Sequence, residues 1–271
     1  MIQFTKIKPL LSLFIVILAV FNSTYCLADG KVQIIPQPTS LSYAEGELVL
    51  NQQVRIQAPF ELQSELEFLQ SLLQTGFSRG PKQVAKNGDI QLMLESNCLS
   101  TLGEEGYKLL VEEEGIRITA ATSAGIFYGI QSLRQLLPIT FEYGKEYQSV
   151  KIPCLEIIDR PRFPWRALML DESRHFKGKE VVKDLLDQMA MLKMNTFHWH
   201  LTDDQGWRIE IKKYPKLTQI GSLRKDTQVS SKSALRTGEP HSGFYTQRRA
   251  CGRHGADAAR RRAPQRRWSP T

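Results

Sequence analysis

Six side chains that could perform acid–base chemistry or bind a sugar lie close together in the second half of the sequence. They are Asp171, Arg174, His198, His200, Asp203 and Asp204. Asp171 and Arg174 follow the apolar run 167–170. His198 and His200 lie within the run 195–201, and Asp203 and Asp204 follow it. Side chains at the ends of neighbouring strands meet at one edge of a sheet, so this pattern predicts a polar site there.

Two other interpretations of these residues remain open at this stage. His198 and His200 stand two positions apart, so on a strand they point to the same face and with Asp203 could imitate a metal site. The strand supplies no third ligand at the expected geometry, however, and Trp199 points to the opposite face. Alternatively, the polar groups simply satisfy one another beneath a loop.

The elements that would position these residues follow a β–α rhythm that begins near Asp159. The run 167–170 is typical of a strand buried on both faces, and the run 195–201 predicts the next strand. Between them, apolar side chains recur at helical spacing at Val182, Leu185, Leu186, Met189 and Leu192. Two such units, each followed by charged residues, are how a (β/α)8 barrel begins. An open doubly wound sheet would produce the same placement, so periodicity alone leaves both architectures open.

Residues 30–158 alternate short strand patterns with two helical patterns, which predicts an α+β sandwich. The strand patterns are 48–50, 54–56, 90–94, 107–111 and 116–118, and the first two predict a hairpin around 51–53. The helical patterns are the stripe Leu62, Leu66, Leu69 and Leu73 and the segment Ala124 to Leu137, which Pro138 ends. Nothing in this part of the chain clusters as a catalytic site would.

Composition and charge exclude several classes of protein. The 271 residues are 41% hydrophobic and 24% charged, which excludes a fully disordered chain and a fibrous repeat. The net charge of +8 resides almost entirely in residues 248–271, which hold eight Arg and one Asp, so the remainder carries 28 basic against 27 acidic residues. Cys98, Cys154 and Cys251 are too scattered for a metal site or a disulfide framework.

The N-terminus has the features of an export signal. Lys6 and Lys8 precede the apolar run 10–20, and small or polar residues follow it. This run is shorter than the roughly 20 apolar residues that span a bilayer. The sequence therefore predicts cleavage after Ala28 and an exported protein, periplasmic or secreted, without a transmembrane span. The alternatives are a lipid anchor at Cys26, although Ser-Thr-Tyr before it makes a poor lipobox, and a buried N-terminal helix.

Two long motifs carry a resemblance to a known family. LDESRHF at 170–176 and FHWHLTDDQGWR at 197–208 resemble the start of the catalytic barrel of family 20 glycoside hydrolases, the β-N-acetylhexosaminidases. The segments IIPQP at 34–38, EGY at 105–107 and GIFYGIQSLRQLL at 125–137 are similar to that family's N-terminal α+β domain, and DRPRF at 159–163 resembles its link to the barrel. The resemblance extends from Val32 to Gln247 and implies a barrel rather than an open sheet.

The resemblance implies hydrolysis of terminal, non-reducing β-linked N-acetylhexosamine with retention and without a cofactor or metal. The substrate's 2-acetamido oxygen acts as nucleophile, so the family is an exception to the two-carboxylate rule. By the same resemblance, Arg174 binds the 3- and 4-hydroxyls of the sugar, with Asp171 in the same substrate-binding group. Asp203 matches the aspartate that begins an Asp–His–Glu relay behind the catalytic acid, and Asp204 and His200 support that loop.

The resemblance stops after Gln247. Residues 248–271 contain no Val, Ile, Leu, Met or Phe, so they offer no aliphatic stripe to bury. We expect this segment to be an out-of-frame, disordered tail, a hypothesis that an intact reading frame in independent sequencing reads would contradict. The rival interpretation is a genuine basic tail that binds nucleic acid or anionic lipid, but the expected partner is a terminal N-acetylhexosamine and not nucleic acid.

The expected domains are therefore a signal peptide at 1–28, the α+β domain at 29–158, the first part of an incomplete barrel at 159–247 and the tail at 248–271. The family's relay histidine, its Asp–Glu catalytic pair and the tryptophans that line its sugar pocket would all follow the break. The sequence thus predicts no catalytic acid–base pair and little or no activity. The alternative function is a non-catalytic exported domain that binds carbohydrate or protein.

Overall fold

The computed structural model describes residues 32–143, 145–204 and 206–223. The predicted signal peptide, the lipid-anchor candidate Cys26 and the predicted tail lie outside these residues. Within the described ranges, no helix is both long enough and apolar enough to cross a membrane. Cys98 and Cys154 are free thiols there, the first half-buried and the second buried.

The described residues form short strands and helices in an order that mixes both. The strands are β1 (Ser40–Asn51), β2 (Arg55–Gln57), β3 (Lys82–Val84), β4 (Ile90–Leu94), β5 (Tyr107–Glu112), β6 (Gly115–Ala120), β7 (Ser149–Asp159), β8 (Ala167–Asp171), β9 (Thr196–His200), β10 (Thr202–Asp203) and β11 (Gly206–Trp207). The helices are α1 (Gln63–Gly76), α2 (Leu99–Leu102), α3 (Ser123–Leu136), α4 (Lys179–Met191) and α5 (Lys216–Gln219).

Strands β1 to β7 form one mixed sheet in the order β1-β7-β5-β6-β4-β2-β3. The pairs β1/β7, β7/β5 and β5/β6 are antiparallel, whereas β6/β4, β4/β2 and β2/β3 are parallel. The turn at Glu113 and Glu114 joins β5 to β6, and Val111 pairs with Ile116 across it.

The predicted hairpin between 48–50 and 54–56 is wrong. Leu48 in β1 pairs with Ile152 in β7, and Ile56 in β2 pairs with Ile90 in β4, so the two segments do not pair with each other. The physical reason is strand length. The 12-residue β1 matches the 11-residue β7, whereas β2 has only three residues to pair.

The two predicted helices pack against each other, and one of them packs on this sheet. Leu66, Leu69 and Leu73 of α1 are buried as the leucine stripe predicts, and α1 packs on α3, which packs on β4, β5 and β6. The side chain of Thr122 caps α3 by accepting a hydrogen bond from the backbone N–H of Gly125 over 3.4 Å. The predicted α+β architecture of this part is confirmed.

The second part is a β–α–β unit in which β8 and β9 run parallel on either side of α4. Its buried contacts join Val182, Leu186 and Met189 of α4 to Leu168, Leu170, Phe197 and Trp199 of the strands. Only this face of β8 is covered by the described residues, since Met169 on the other face is 57% exposed. The expectation of a strand buried on both faces is therefore wrong within the described residues, which contain two barrel strands and no third beside them.

A polar network joins the β–α–β unit to the sheet. The chain leaves α4 through Lys193, whose φ of 58° is left-handed. The Lys193 ammonium donates to Asp159 at the end of β7 over 2.8 Å and to the hydroxyl of Tyr107 over 2.7 Å. Arg166, ahead of β8, pairs with Glu105 over 2.9 Å. These contacts hold β8 and β9 in a defined place beside the α+β part.

Candidate active site

The parallel register of β8 and β9 brings the predicted polar residues to one edge. Asp171, the last residue of β8, stands opposite His200, the last residue of β9. The backbone N–H groups of Glu172 and Ser173 both donate to the carbonyl of His200, over 2.9 and 3.1 Å. The chain after β8 is therefore attached to the end of β9 before it turns toward α4.

Asp171 holds Arg174 in place. Its carboxylate accepts hydrogen bonds from the Ser173 hydroxyl over 2.9 Å, from the Arg174 backbone N–H over 3.2 Å and from the Arg174 guanidinium over 2.6 Å. The Arg174 side chain is nevertheless 61% exposed. The result is a fixed guanidinium with much of its surface facing outward.

Asp203 approaches the same guanidinium from the β10–β11 hairpin. In this hairpin Thr202 pairs with Trp207 and Asp203 with Gly206. The Asp203 Oδ2 atom lies 3.6 Å from Nη2 of Arg174 and 3.3 Å from Nε2 of His200. Arg174 thus lies between two carboxylates that come from different elements.

Both carboxyl groups stay ionised more readily than usual. Burial raises the pKa of Asp171, but hydrogen bonds from the Arg174 backbone and the Ser173 hydroxyl, together with the Arg174 charge, outweigh this effect and leave the pKa below its ordinary value. The pKa of Asp203 is also lowered, chiefly because the backbone N–H of Asp204 donates to it over 2.7 Å. The site therefore keeps its negative partners for Arg174 into acidic solution.

Two of the six sequence candidates lie at the periphery of this cluster. Asp204 is exposed, and its backbone N–H donates to Asp203. His198 lies on the exposed face of β9, with its ring centroid 6.1 Å from that of His200. No group of three His, Cys, Asp or Glu side chains among the described residues could hold a metal ion. In the described ranges, the alternative of a metal site at His198, His200 and Asp203 thus receives no support.

The hairpin and the loop after β8 fit closely against each other. Arg208 donates to the Ser173 carbonyl over 3.0 Å and to the Ser222 carbonyl. A Cβ atom at Gly206 would lie 2.8 Å from the Ser173 carbonyl oxygen and 2.5 Å from Nη2 of Arg208, which is closer than packing allows. Glycine is therefore required where the hairpin carrying Asp203 crosses the loop carrying Arg174.

Glu172 is an organising residue that the sequence argument did not identify. It is fully buried, and its carboxylate accepts from the backbone N–H groups of Lys177 and Gly178, over 2.8 and 3.2 Å, and from the indole of Trp199 over 2.8 Å. The placement of Trp199 opposite the two histidines was a usable signal, because an indole N–H turned into an apolar core needs an acceptor.

This arrangement is suited to binding vicinal hydroxyl groups. A planar guanidinium presents several donors in a fixed fork, and here two carboxylates fix its position. Glu172 is unavailable as a proton donor to a bound molecule, because it is 0% exposed and both its oxygens accept hydrogen bonds. The arrangement is thus chemically able to contact paired hydroxyl groups of a bound molecule.

Two protein-family models match the sequence. Residues 31–160 match domain 2 of glycosyl hydrolase family 20, and residues 163–252 match the catalytic domain of that family. The two matches adjoin at the link that precedes β8.

Curated relatives and solved structures agree with these matches. The β-hexosaminidase of Porphyromonas gingivalis is 37% identical over 233 residues, which cover 81% of this chain and 28% of the relative. The β-hexosaminidase of Vibrio furnissii is 35% identical over 220 residues, with 80% of this chain and 34% of the relative covered. Among solved structures, a mutant Streptomyces plicatus β-hexosaminidase in complex with its product GlcNAc has a TM-score of 0.64 at 36% identity, over 69% of this chain and 38% of that one. The chain thus spans about a third of the length of these three proteins.

Proposed function

The chain belongs to glycosyl hydrolase family 20, of which it contains domain 2 and part of the catalytic domain, and we propose that it represents a β-N-acetylhexosaminidase. The reaction would remove terminal, non-reducing β-linked N-acetylhexosamine. In the proposed mechanism the 2-acetamido oxygen of the substrate attacks the anomeric carbon, so the configuration is retained and no protein nucleophile takes part.

The observation that carries this proposal is the position of Arg174 between Asp171 and Asp203. We assign Arg174, with Asp171 holding it, to the 3- and 4-hydroxyls of the sugar. Asp203 would begin a relay toward the catalytic acid, supported by His200 at 3.3 Å and by the backbone of Asp204. A carboxylate at that end would favour a charged imidazole further along the relay, and the imidazole would in turn tune the proton affinity of the catalytic acid. In a polypeptide without that acid, the relay has nothing to tune.

We further propose that a polypeptide limited to these 271 residues does not hydrolyse glycosides. The mechanism needs an Asp to orient the acetamido group and an adjacent Glu to protonate the leaving oxygen. Asp171 and Glu172 are adjacent, but the first is occupied by Arg174 and the second is buried with both oxygens accepting hydrogen bonds. Proton donation of this kind is typically worth about 10²–10⁴ in rate, so its loss would be severe.

The second candidate function is a non-catalytic exported domain that binds carbohydrate or protein. Its support is that the Arg174 side chain is held by carboxylates and is 61% exposed. A side chain that binds a ligand without taking part in catalysis would have both properties. The export itself is a proposal that rests on the N-terminal sequence, and N-terminal sequencing of the mature protein after secretion in a Gram-negative host tests it.

Hydrolysis of an aryl N-acetyl-β-glucosaminide separates these functions. We would assay the 271-residue chain beside a chimera that joins residues 29–247 to the remaining catalytic domain of the P. gingivalis β-hexosaminidase. Turnover by the chimera alone is expected under the enzyme proposal. Turnover by the 271-residue chain would contradict the absence of a catalytic acid, and a well-folded chimera without turnover would favour the binding function.

A further inference from the structure

We propose that Glu172 and Trp199 are a pair of positioning residues that fix the loop carrying Arg174. The loop is the segment 172–178, between the end of β8 and the start of α4. The inference deepens the proposed function, because it concerns the sugar-binding side of that site. Neither residue touches the sugar in this proposal, and both act through Arg174.

The carboxylate of Glu172 closes this loop from inside. One oxygen, Oε1, accepts from the backbone N–H groups of Lys177 and Gly178. Because Glu172 itself begins the loop, these hydrogen bonds join its first residue to its last two. Arg174 lies within the segment that these hydrogen bonds close. If the loop became mobile, the backbone of Arg174 would become mobile with it.

The second oxygen ties the closed loop to the neighbouring strand. Oε2 of Glu172 accepts from the indole N–H of Trp199 in β9 over 2.8 Å. The Trp199 ring lies among apolar side chains of the β–α–β unit and has its centroid 6.2 Å from that of Phe197. The donor therefore belongs to a packed side chain, and its hydrogen bond holds the loop in place against β9.

The chemistry of the three donors requires a carboxylate at Glu172. All three are neutral N–H groups, and they converge on the two acceptor oxygens of a fully buried side chain. A glutamine would place an NH2 group against at least one of these donors, and a buried unpaired donor is costly. The positive end of the 13-residue helix α4, which begins at Lys179, also favours an anion at this position.

The test compares Glu172→Gln, Trp199→Phe and the double variant in the full 271-residue chain by NMR. The matched control is Glu180→Gln, which makes the same chemical change at an exposed carboxylate in the first turn of α4. Three quantities are measured: amide exchange at Lys177 and Gly178, ordering of the Arg174 backbone, and the affinity for N-acetylglucosamine titrated as the probe.

We expect Glu172→Gln to accelerate exchange at Lys177 and Gly178 by at least about tenfold, the effect of losing about 1.4 kcal/mol, and to disorder Arg174. The affinity for N-acetylglucosamine should fall by a similar factor, while the amides of β5 and β6 keep their protection. Trp199→Phe should act in the same direction, and the double variant should be little worse than Glu172→Gln because both changes remove one network.

Unchanged exchange in both single variants would overturn the proposal, as would faster exchange with unchanged sugar affinity. If the unchanged chain does not bind N-acetylglucosamine, the proposed sugar site fails, and the exchange and Arg174 measurements still decide the positioning role. If Glu172→Gln does not fold, Trp199→Phe decides it alone, because that variant keeps an aromatic ring in the core and removes only the donor.

Discussion

The ammonium group of Lys193 lies 2.8 Å from the carboxylate of Asp159, and this buried ion pair connects the β–α–β unit to the last strand of the sheet. The two side chains are 8% and 13% exposed. Burial lowers the pKa of Lys193, and the charge of Asp159 opposes that shift. The hydroxyl of Tyr107 accepts a second hydrogen bond from the same ammonium over 2.7 Å. Domain 2 thereby positions the strands that carry the candidate site.

Replacing Lys193 by Met should destabilise the protein. Asp159 would lose its cationic partner and keep the Thr39 N–H at 3.1 Å, so we expect a loss of about 1–3 kcal/mol in the free energy of unfolding. Urea unfolding measures it. Lys183→Met is the control, because this lysine of α4 forms only a partly exposed pair with Glu180 and should change stability by less than about 0.5 kcal/mol. Equal losses of unfolding free energy in the two variants would contradict a special role for the ion pair between Lys193 and Asp159.

Replacing Arg174 by Lys should reduce sugar recognition while keeping the charge. A lysine ammonium cannot contact two carboxylates and two vicinal hydroxyls in one plane. In the active chimera we expect kcat/KM to fall by about 10–150-fold, the equivalent of a charged hydrogen bond of about 1.5–3 kcal/mol. Arg162→Lys, at an exposed arginine that contacts Phe163, is the control. A change of less than threefold for Arg174→Lys would count against the assigned role.

Adding a methyl group at Gly206 should disturb the loop that carries Arg174. The new Cβ atom would lie 2.8 Å from the Ser173 carbonyl oxygen, so the hairpin and loop must separate. We expect Gly206→Ala to cost about 1–3 kcal/mol and to shift the amide NMR signals of Ser173 and Arg174. At Gly80 the nearest atom to an added Cβ would be 3.8 Å away, so Gly80→Ala should leave both readouts nearly unchanged. Unaltered loop signals in Gly206→Ala would refute the close fit.

The site should keep its charges in mildly acidic solution. Because the folded-state pKa values of Asp171 and Asp203 lie below their ordinary values, the stabilisation they supply is fully present above the ordinary carboxyl pKa. It is lost as the pH falls through the lowered folded-state values. An NMR titration of the side-chain carboxyl carbons should give midpoints below those of the urea-unfolded chain. In the variant Arg174→Ala both midpoints should rise. Identical midpoints in the variant and in the unsubstituted protein would contradict the proposed contacts.

Local elements could be predicted from the sequence where one residue type repeats with a clear period. The leucine stripe located α1, and the apolar positions from Val182 to Met189 located α4. The turn between β5 and β6 and the end of α3 before Pro138 follow from short-range backbone preferences. The motifs around Arg174 and Asp203 led to the family because their order along the chain is specific.

Pairing between distant segments could not be predicted in the same way. The partner of β1 is β7, about a hundred residues later, and apolar alternation in β1 would suit any strand of similar pattern. The exposure of Met169 on β8 could not be predicted either. An apolar run indicates a strand, but it does not indicate which element packs on each face of that strand.

The sequence alone determined the helices α1, α3 and α4 and the family, since each depends on residue type and short-range spacing. Only the tertiary structure decided that Glu172 lies buried beneath the Arg174 loop and that Lys193 reaches Asp159. Those contacts join residues 27 and 34 positions apart. Whether a charged side chain is exposed or becomes a buried anchor depends on which donors and acceptors the completed fold brings to it.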